Sequence, residues 1–265
     1  MTEHTALVVG GTSGIGLATA RLLRQRGAAV HVVGRTQRPL DADLIAHWAD
    51  GGDRDQIAAV VDQIGPIDWL VVALSGGEGM GAIADLDLAV LRRAFDAKLW
   101  AHLTTIQAAL PRLAPAGSIT LISAISARAA MPGTAGLAAL NGAVEAMVKP
   151  LAAELAPIRV NAVSPGVVDT PWWSGLPEQA RADFFAQMEK QLPTRRIATA
   201  EDVAEVVALA ATNRNLTATI IESDGGARIA TAEDVAEAVA LAATNPNLTA
   251  TIIETDGGAR IAAGA

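Results

Sequence analysis

A glycine-rich stretch near the start of the chain constrains its fold more than any other feature. The residues VVGGTSGIG, from Val8 to Gly16, follow an apolar run typical of a buried strand and precede a segment with helical spacing. Glycines in such a turn let the backbone approach a pyrophosphate, and the helix N-terminus offers unpaired N–H groups and partial positive charge. The pattern predicts a nucleotide site at Gly10, Thr12, Ser13, Gly14, Ile15 and Gly16.

The end of the second predicted strand indicates which dinucleotide is preferred. The apolar run 29–33 is followed by Gly34 and Arg35. Dinucleotide-binding folds often place an acidic residue at this point, where it binds the adenosine ribose hydroxyls. Gly34 leaves room for a 2′-phosphate and no anion to repel it, and Arg35 can pair with that phosphate. The sequence therefore favours NADP(H) over NAD(H), with a solvated loop residue as the alternative reading of Arg35.

Apolar runs alternate with segments of helical periodicity along the rest of the chain. Small or polar residues interrupt the pattern where strands end, at Pro165-Gly166 and at Ser75-Gly76, which we expect to bind the cofactor. Such alternation predicts an α/β fold with a doubly wound parallel sheet between two helix layers. The predicted strands are 45–50, 67–74, 118–123 and 158–163, and the predicted helices are 53–64, 87–110 and 136–156.

Composition excludes several classes of protein. The net charge of −8 argues against a nucleic-acid partner, because neutralising phosphates needs a basic face. The absence of cysteine excludes disulfides and thiolate metal sites, and the four histidines show no metal-ligand spacing. No apolar run reaches the roughly 20 residues of a membrane span, and MTEHTALVVGG lacks a signal-peptide layout. We expect a cytoplasmic protein that acts on a small molecule, without a metal or a membrane.

Several motifs together resemble the short-chain dehydrogenase/reductase family. They are GGTSGIG, GSITLIS at 117–123, NGAVEAM at 141–147 and IRVNAVSPGVVDTP at 158–171, and the similarity covers Leu7 to about Arg228. The resemblance implies a Rossmann fold of seven parallel strands, a nicotinamide cofactor, and a homodimer or homotetramer. It also implies that Asp50 lies near the adenine and Thr170 near the nicotinamide carboxamide, with Pro165, Gly166 and Val168 on the same cofactor loop.

The residues that carry the family's chemistry are replaced. Members of the family reduce carbonyls with a tyrosine acid, a lysine four residues later, a serine before the tyrosine and an asparagine on the preceding helix. These positions fall here on Leu137, Asn141, Ala124 and Lys98. The chain contains no tyrosine at all, so a shifted alignment cannot restore the general acid.

One pair of replacements looks organised. The family's asparagine and lysine are exchanged as Lys98 and Asn141, so a cation and an amide both remain. If the two face each other, they can keep a cofactor-binding hydrogen-bond network without transferring a proton; the alternative is a surface lysine and independent drift of Asn141. Ser123 and Ser126 bracket the lost serine, although serines that end strands are often turn or cap residues. The candidate catalytic residues are therefore Lys98, Asn141 and Ser123.

Two adjacent tryptophans follow the DTP sequence. Trp172 and Trp173 lie where the family has its substrate loop. We expect them either to stack on an aromatic or flat apolar substrate or to close the core.

The C-terminal part of the chain is a near-identical repeat. Residues 197–228 recur as 229–260, and only Val206/Ala238, Arg214/Pro246 and Ser223/Thr255 differ. Each copy is typical of a helix capped by Thr199 or Thr231 and followed by a strand. We predict a domain over 1–228, with 229–265 as an appended duplicate. The first copy is expected to supply the last strand, and the second to add an eighth, pack on a neighbouring subunit or stay poorly ordered.

Three functions remain open from the sequence. The first is an NADP(H)-dependent oxidoreductase with a rewired site, acting on a small carbonyl or imine-type substrate that needs little general-acid help. The second is a catalytically silent nucleotide-binding protein or partner subunit. The third is a non-redox enzyme on the same scaffold, because fold alone does not decide function.

Overall fold

A seven-stranded parallel sheet forms the centre of the protein. The computed structural model describes residues 4–75, 77–129, 131–227, 251–254 and 260–263. The strands of this sheet are β1 (Thr5–Val9), β2 (Ala29–Gly34), β3 (Ile45–Trp48), β4 (Ile67–Val72), β5 (Leu113–Ile122), β6 (Arg159–Pro165) and β9 (Thr219–Ser223). Their order, β3-β2-β1-β4-β5-β6-β9, confirms the predicted doubly wound Rossmann fold. A separate parallel pair consists of β7 (Val168–Asp169) and β8 (Ala198–Thr199).

Helices cover both faces of the sheet and create two apolar layers. One layer joins β1 residues such as Leu7 to α2, α4 and α5, and the other joins Val8 to α1 and α7. Alternate residues of one strand thus enter opposite layers, as the two-residue period of a strand requires. The helices are α1 (Gly14–Gln25), α2 (Arg54–Ile64), α3 (Leu88–Phe95), α4 (Ala101–Ala109), α5 (Ala135–Glu154), α6 (Glu178–Gln191) and α7 (Ala200–Thr212). Among the described residues, no helix is both long and apolar enough to cross a membrane.

The helix predicted at 87–110 is not a uniform α-helix. It consists of α3 and α4 joined by one π-helical turn, Asp96–Trp100, whose middle residue is Lys98. A π turn inserts an extra residue into the helical repeat and therefore rotates the side chains that follow it. Apolar periodicity does not reveal such a turn, because α3 and α4 each keep the ordinary helical spacing.

The last strand of the sheet comes from the first copy of the repeat. Its helix, α7, begins with the capping box expected at Thr199, whose hydroxyl accepts a hydrogen bond from the Asp202 backbone N–H at 3.1 Å. The far end of α7 is held by buried side chains of β6. Arg159 donates to the Ala211 carbonyl at 2.6 Å, and Asn161 donates to the Ala210 carbonyl at 3.3 Å and, beyond the helix, to the Leu216 carbonyl at 2.8 Å. The unpaired carbonyls of the helix end are satisfied in this way.

The described residues of the second copy do not extend this sheet. Thr251–Glu254 form β10, which pairs antiparallel with β11 (Arg260–Ala263). The remainder of the predicted second helix-strand unit, including Thr231, lies outside the described residues.

We predict that a chain ending at Arg228 folds like the full-length protein. All seven strands of the main sheet lie before residue 224, so the truncation removes none of them. Circular dichroism should show the same helical content and a melting temperature within a few degrees, and gel filtration the same oligomeric state. A truncated chain that unfolds or changes its assembly would give the second copy a structural role.

We predict that Asn161→Ala destabilises the protein by about 2–3 kcal/mol in urea unfolding. Asn161 is fully buried, and its amide bonds both the Leu216 carbonyl and the Thr219 N–H. Alanine removes both hydrogen bonds: the Thr219 N–H loses the Asn161 oxygen, and the Leu216 carbonyl keeps only its 3.2 Å contact with Arg159. The control is Asn213→Ala, which removes an exposed contact to the Asn215 N–H and should cost less than about 1 kcal/mol. Equal effects of the two variants would contradict the assigned role of Asn161.

Candidate functional site

The glycine loop after β1 has the geometry of a phosphate cradle. Gly10 has φ +83°, and a Cβ there would lie 2.5 Å from the Ala73 carbonyl oxygen. A Cβ at Gly16 would lie 2.2 Å from the Gly10 carbonyl oxygen, so α1 packs against the loop only because both residues are glycines. Ser13 caps α1 without a side-chain hydrogen bond. The backbone N–H groups of the first turn, beginning at Gly14, are therefore left for an anionic ligand.

The loop after β6 closes the same site from the other side. A Cβ at Gly14 would lie 3.5 Å from the Thr170 Cβ, which places Thr170 over the N-terminus of α1. The Gly166 N–H donates to the Ser223 carbonyl at 3.0 Å, and Val168 pairs with Ala198 through β7 and β8. The loops after β1 and β6 thus lie together at the carboxyl edge of the sheet, where strand order reverses between β1 and β4. Pro165, the last residue of β6, leads directly into this loop.

The space beside β2 is filled differently from the sequence-based expectation. A Cβ at Gly34 would lie 2.4 Å from the Thr12 Oγ1 and 2.5 Å from its Cγ2. Gly34 is therefore required by the packing of Thr12, and the room that it leaves is occupied by that side chain rather than free for a phosphate. The next residue, Arg35, is exposed, and no described residue forms an ion pair or hydrogen bond with its guanidinium.

The predicted adenine contact lies next to β2. The Ala49 N–H donates to the Gly34 carbonyl at 3.1 Å, so Asp50 immediately follows a residue tied to the end of β2. The Asp50 carboxylate accepts a hydrogen bond from the Gly52 N–H at 2.9 Å and remains exposed. Ser75 is exposed just beyond β4, and Gly76 lies outside the described residues.

Lys98 and Asn141 meet at the centre of the site. The Lys98 Nζ lies 2.7 Å from the Asn141 Oδ1 and 3.2 Å from the carbonyl oxygen of Ser123, which follows β5. Lys98 is only 6% exposed. An ammonium group has three N–H donors, and described residues accept two of them. No described residue accepts the third.

Burial shifts the proton affinity of this ammonium group. Desolvation lowers the pKa of Lys98 to about 8, and the Glu145 carboxylate opposes part of the shift. His102, one turn further along the helix, is fully buried and contacts the Lys98 carbonyl oxygen through Nδ1 at 2.7 Å. Desolvation and the nearby Lys98 charge lower the pKa of His102 to about 3, so its imidazole stays neutral. Lys98 is therefore the group here that exchanges a proton near neutral pH.

The Ser123 hydroxyl does not face this ligand position. It donates to the Glu145 Oε1 at 2.8 Å, and Ser123 is 2% exposed. Arg128 forms an ion pair with Glu145 at 2.7 Å and a second ion pair with Glu222 near the end of β9. Ser123 thus contributes its carbonyl oxygen to Lys98 and its hydroxyl to the buried Glu145–Arg128 pair. Sequence reasoning missed that pair, because neither Arg128 nor Glu145 is among the predicted site residues.

An apolar side chain occupies the position where the family has its tyrosine. Leu137, in the first turn of α5, packs against the core, and its Cδ2 lies 3.4 Å from where a Cβ at Gly79 would be. The Leu137 carbonyl accepts a hydrogen bond from the Asn141 Nδ2 at 3.0 Å. This wall of the site therefore offers no side-chain proton.

The two tryptophans have different environments. Trp173 donates from Nε1 to the Val168 carbonyl at 2.9 Å, and its ring centroid lies 5.0 Å from that of Phe184. Trp172 is 37% exposed, and its Nε1 lies 3.9 Å from where a Cβ at Gly77 would be. Trp173 holds the loop in place through these contacts, whereas the Trp172 ring lies near the segment after β4. Within the described residues, no group of three potential ligands could hold a metal ion.

Comparisons with known proteins agree with this architecture. Residues 9–228 match the family model described as enoyl-(acyl carrier protein) reductase. A cis-4-hydroxycyclohexanecarboxylate dehydrogenase of Sinomonas cyclohexanicum is 35% identical over 245 residues, which cover 84% of this chain and 96% of the relative. The short-chain dehydrogenase/reductase malC of Malbranchea aurantiaca is 29% identical over 246 residues, which cover 83% of this chain and 92% of that protein.

Solved structures give the same result. A small-chain dehydrogenase in complex with NADPH superposes with a TM-score of 0.74 at 32% identity, covering 85% of this chain and 99% of that one. A structure described as MalC reductase/Diels–Alderase from Malbranchea aurantiaca superposes with a TM-score of 0.73 at 26% identity, covering 85% and 95%. The sheet order, the glycine loop and these matches lead to one conclusion: the chain belongs to the short-chain dehydrogenase/reductase family.

Proposed function

We propose that this protein is an NADP(H)-dependent oxidoreductase that reduces a small carbonyl or imine-type substrate with Lys98 in the place of the family's tyrosine. The observation that carries the proposal is the buried Lys98 ammonium, held by Asn141 and the Ser123 carbonyl with one N–H unassigned. Its pKa of about 8 suits a group that gives up a proton near neutral pH.

The cofactor assignment rests on the fit of the loops. The glycine loop and the uncapped N-terminus of α1 suit a pyrophosphate, and Thr170 closes over them. Arg35 is exposed beside the end of β2 and suits a 2′-phosphate. The NADPH complex of a 32% identical dehydrogenase supports the same choice.

The chemistry divides between cofactor and protein. The bound nicotinamide would supply or accept a hydride. Lys98 holds the proton for the substrate heteroatom, and the Asn141 amide orients the ammonium group. The Glu145–Arg128 pair keeps the nearby buried charge balanced, so that Lys98 is not locked to a carboxylate. Leu137 contributes an apolar surface to the substrate position.

The substrate class follows from that surface and from a relative. Leu137 and the exposed Trp172 suit an apolar ring or chain. The relative from Sinomonas cyclohexanicum is described as acting on cis-4-hydroxycyclohexanecarboxylate, a cyclic alcohol. Cyclic ketones and the corresponding alcohols are therefore the first substrates to test.

A second candidate function is a non-redox reaction in the same pocket. It is favoured by Leu137, which removes the family's acid, and by the similarity to a protein described as both a reductase and a Diels–Alderase. A silent nucleotide-binding role, alone or beside an active subunit, is the remaining alternative. Cofactor binding without turnover of any carbonyl or imine would favour these two alternatives.

Assembly and location are part of the proposal. Leu88 of α3 and Trp100 of the π turn are 55% and 54% exposed, and they line one groove with Leu91 and Phe95. Such an apolar surface suits the homodimer or homotetramer expected from the family resemblance. A cytoplasmic location stays a prediction.

We predict that Arg35→Gln weakens NADPH binding on the order of 10- to 100-fold and leaves NADH binding nearly unchanged. The guanidinium would contact only the 2′-phosphate, which NADH lacks. Titration followed by tryptophan or nicotinamide fluorescence measures both affinities. The structure makes Arg35 a better test than Gly34→Asp, because a side chain at Gly34 would displace Thr12.

Lys149→Gln is the matched control for Arg35→Gln. It removes the same charge from an exposed position in the C-terminal half of α5, near the amino ends of the strands and away from the cofactor crevice. It should bind both cofactors like the wild type. An equal loss of affinity for NADPH and NADH in Arg35→Gln would contradict the proposal that Arg35 binds the 2′-phosphate.

We predict that NADPH-dependent reduction loses rate above a pH of about 8. Reduction needs the protonated ammonium of Lys98, and this form is depleted as the pH rises through its pKa. The reverse oxidation needs the neutral amine and should gain rate over the same range. Rates measured from pH 6 to 10 (about two units either side of the pKa) test both signs.

Lys98→Met should lower the rate by about 10²–10⁴-fold and abolish this pH dependence. Lys149→Met, which removes an exposed lysine, should keep both the rate and the profile. A Lys98→Met variant that raises the KM for NADPH but keeps kcat and the profile would reassign Lys98 to cofactor anchoring.

A further inference from the structure

The serine that faces the substrate position is not the one favoured by the sequence. Ser123 uses its hydroxyl for Glu145 and is almost fully buried. Ser126 lies three residues later, in the short 3₁₀ turn Ile125–Ala127, and is half-buried. Its Oγ lies 3.0 Å from the Asn141 Nδ2.

The direction of that hydrogen bond is set by Lys98. An ammonium group has only donors, so the oxygen of the Asn141 amide must face Lys98. The amide nitrogen then faces Ser126 and the Leu137 carbonyl, and both receive an N–H. The Ser126 Oγ is therefore an acceptor in this contact. Its own proton is donated to no residue that the structure describes.

Two unassigned donors consequently flank one amide. The third N–H of Lys98 lies on the oxygen side of the Asn141 carboxamide, and the O–H of Ser126 lies on its nitrogen side. Asn141 is a positioning residue, because both its N–H groups and its oxygen are engaged. A carbonyl oxygen that approaches this edge of the amide can therefore accept a hydrogen bond from each of the two side chains.

We propose that Ser126 and Lys98 together bind the oxygen of a neutral carbonyl substrate, with Ser126 as a catalytic hydrogen-bond donor in the absence of the family's serine and tyrosine. This inference rests on the proposed oxidoreductase function and narrows its substrate class to ketones and aldehydes. A carbonyl oxygen has two lone pairs and accepts two such donors.

The surroundings oppose a cationic iminium substrate. An iminium nitrogen carries positive charge and has no lone pair, so neither donor can bind it. The nearest buried carboxylate, Glu145, is already engaged by Arg128 and Ser123. Lys98 would repel a cation placed beside it, since the two charges share a desolvated site.

The reduction balances with these groups. When bound, the reduced nicotinamide would supply a hydride to the carbonyl carbon, and the C=O double bond would become a C–O single bond. The developing oxyanion accepts the proton of Lys98, and the product is an alcohol. Lys98 is left as a neutral amine that regains a proton from water. Ser126 keeps its proton throughout and stabilises charge on the oxygen.

The first test is spectroscopic and needs no turnover. Cyclohexanone labelled with ¹³C at the carbonyl is bound to the full-length protein saturated with NADP⁺, and its ¹³C resonance is recorded. Hydrogen bonding to the oxygen should move the resonance downfield in the wild type. Ser126→Ala should lose a clear part of this shift, and Ser126→Thr, which keeps a hydroxyl, should retain it.

The second test is kinetic. With NADPH, Ser126→Ala should lower kcat for cyclohexanone on the order of 100-fold, with unchanged NADPH affinity. Ser118→Ala is the matched control, because that serine lies on β5 and donates only to the Ala211 carbonyl. It should keep the wild-type shift and rate. Ser123→Ala should lower the rate less than Ser126→Ala.

The outcomes separate the two proposals. A wild-type shift and rate in Ser126→Ala would overturn the role of Ser126 and leave the oxidoreductase proposal intact. A shift that depends on Ser126, without hydride transfer to any ketone, would support the donor pair and overturn the redox function. Reduction of an iminium such as 3,4-dihydroisoquinolinium, together with no binding of cyclohexanone, would overturn the carbonyl assignment.

Discussion

The desolvated ammonium of Lys98 is the interaction on which the site depends. A buried cation costs free energy unless polar groups surround it. Here the Asn141 oxygen and the Ser123 carbonyl accept hydrogen bonds from the ammonium group. Glu145 supplies an opposite charge nearby, while its carboxylate is paired with Arg128. The π turn places Lys98 on the inner side of its helix. These contacts offset the free energy that burying the ammonium group costs.

Much of the fold was predictable because it follows from local patterns. The glycine loop, the alternation of strands and helices and the Thr199 cap all depend on residues close in sequence. The contact between Lys98 and Asn141 was predictable as a hypothesis, since the family resemblance aligned two exchanged residue types. The π turn was not, because its flanking helices have ordinary periodicity.

The roles of the two serines could not be read from the chain. Ser123 and Ser126 both follow β5, and nothing local distinguishes their hydroxyls. The distinction comes from two residues of α5. The Glu145 carboxylate accepts a hydrogen bond from the Ser123 hydroxyl, whereas the Asn141 amide donates one to the Ser126 oxygen. Residues 22 and 15 positions away therefore decide which serine still has a hydroxyl proton that no described residue accepts. A similar long-range contact, between Arg128 and Glu222, ties the site to the first copy of the repeat.

The contact between Thr12 and Gly34 has a consequence for how such a protein diverges. The two residues occupy one volume, because a Cβ at position 34 would overlap the Thr12 side chain. An acidic residue that binds a ribose at the end of β2 is therefore accessible only after position 12 has become smaller. Substitutions at positions 12 and 34 are thus coupled through packing, whatever the charge of the cofactor.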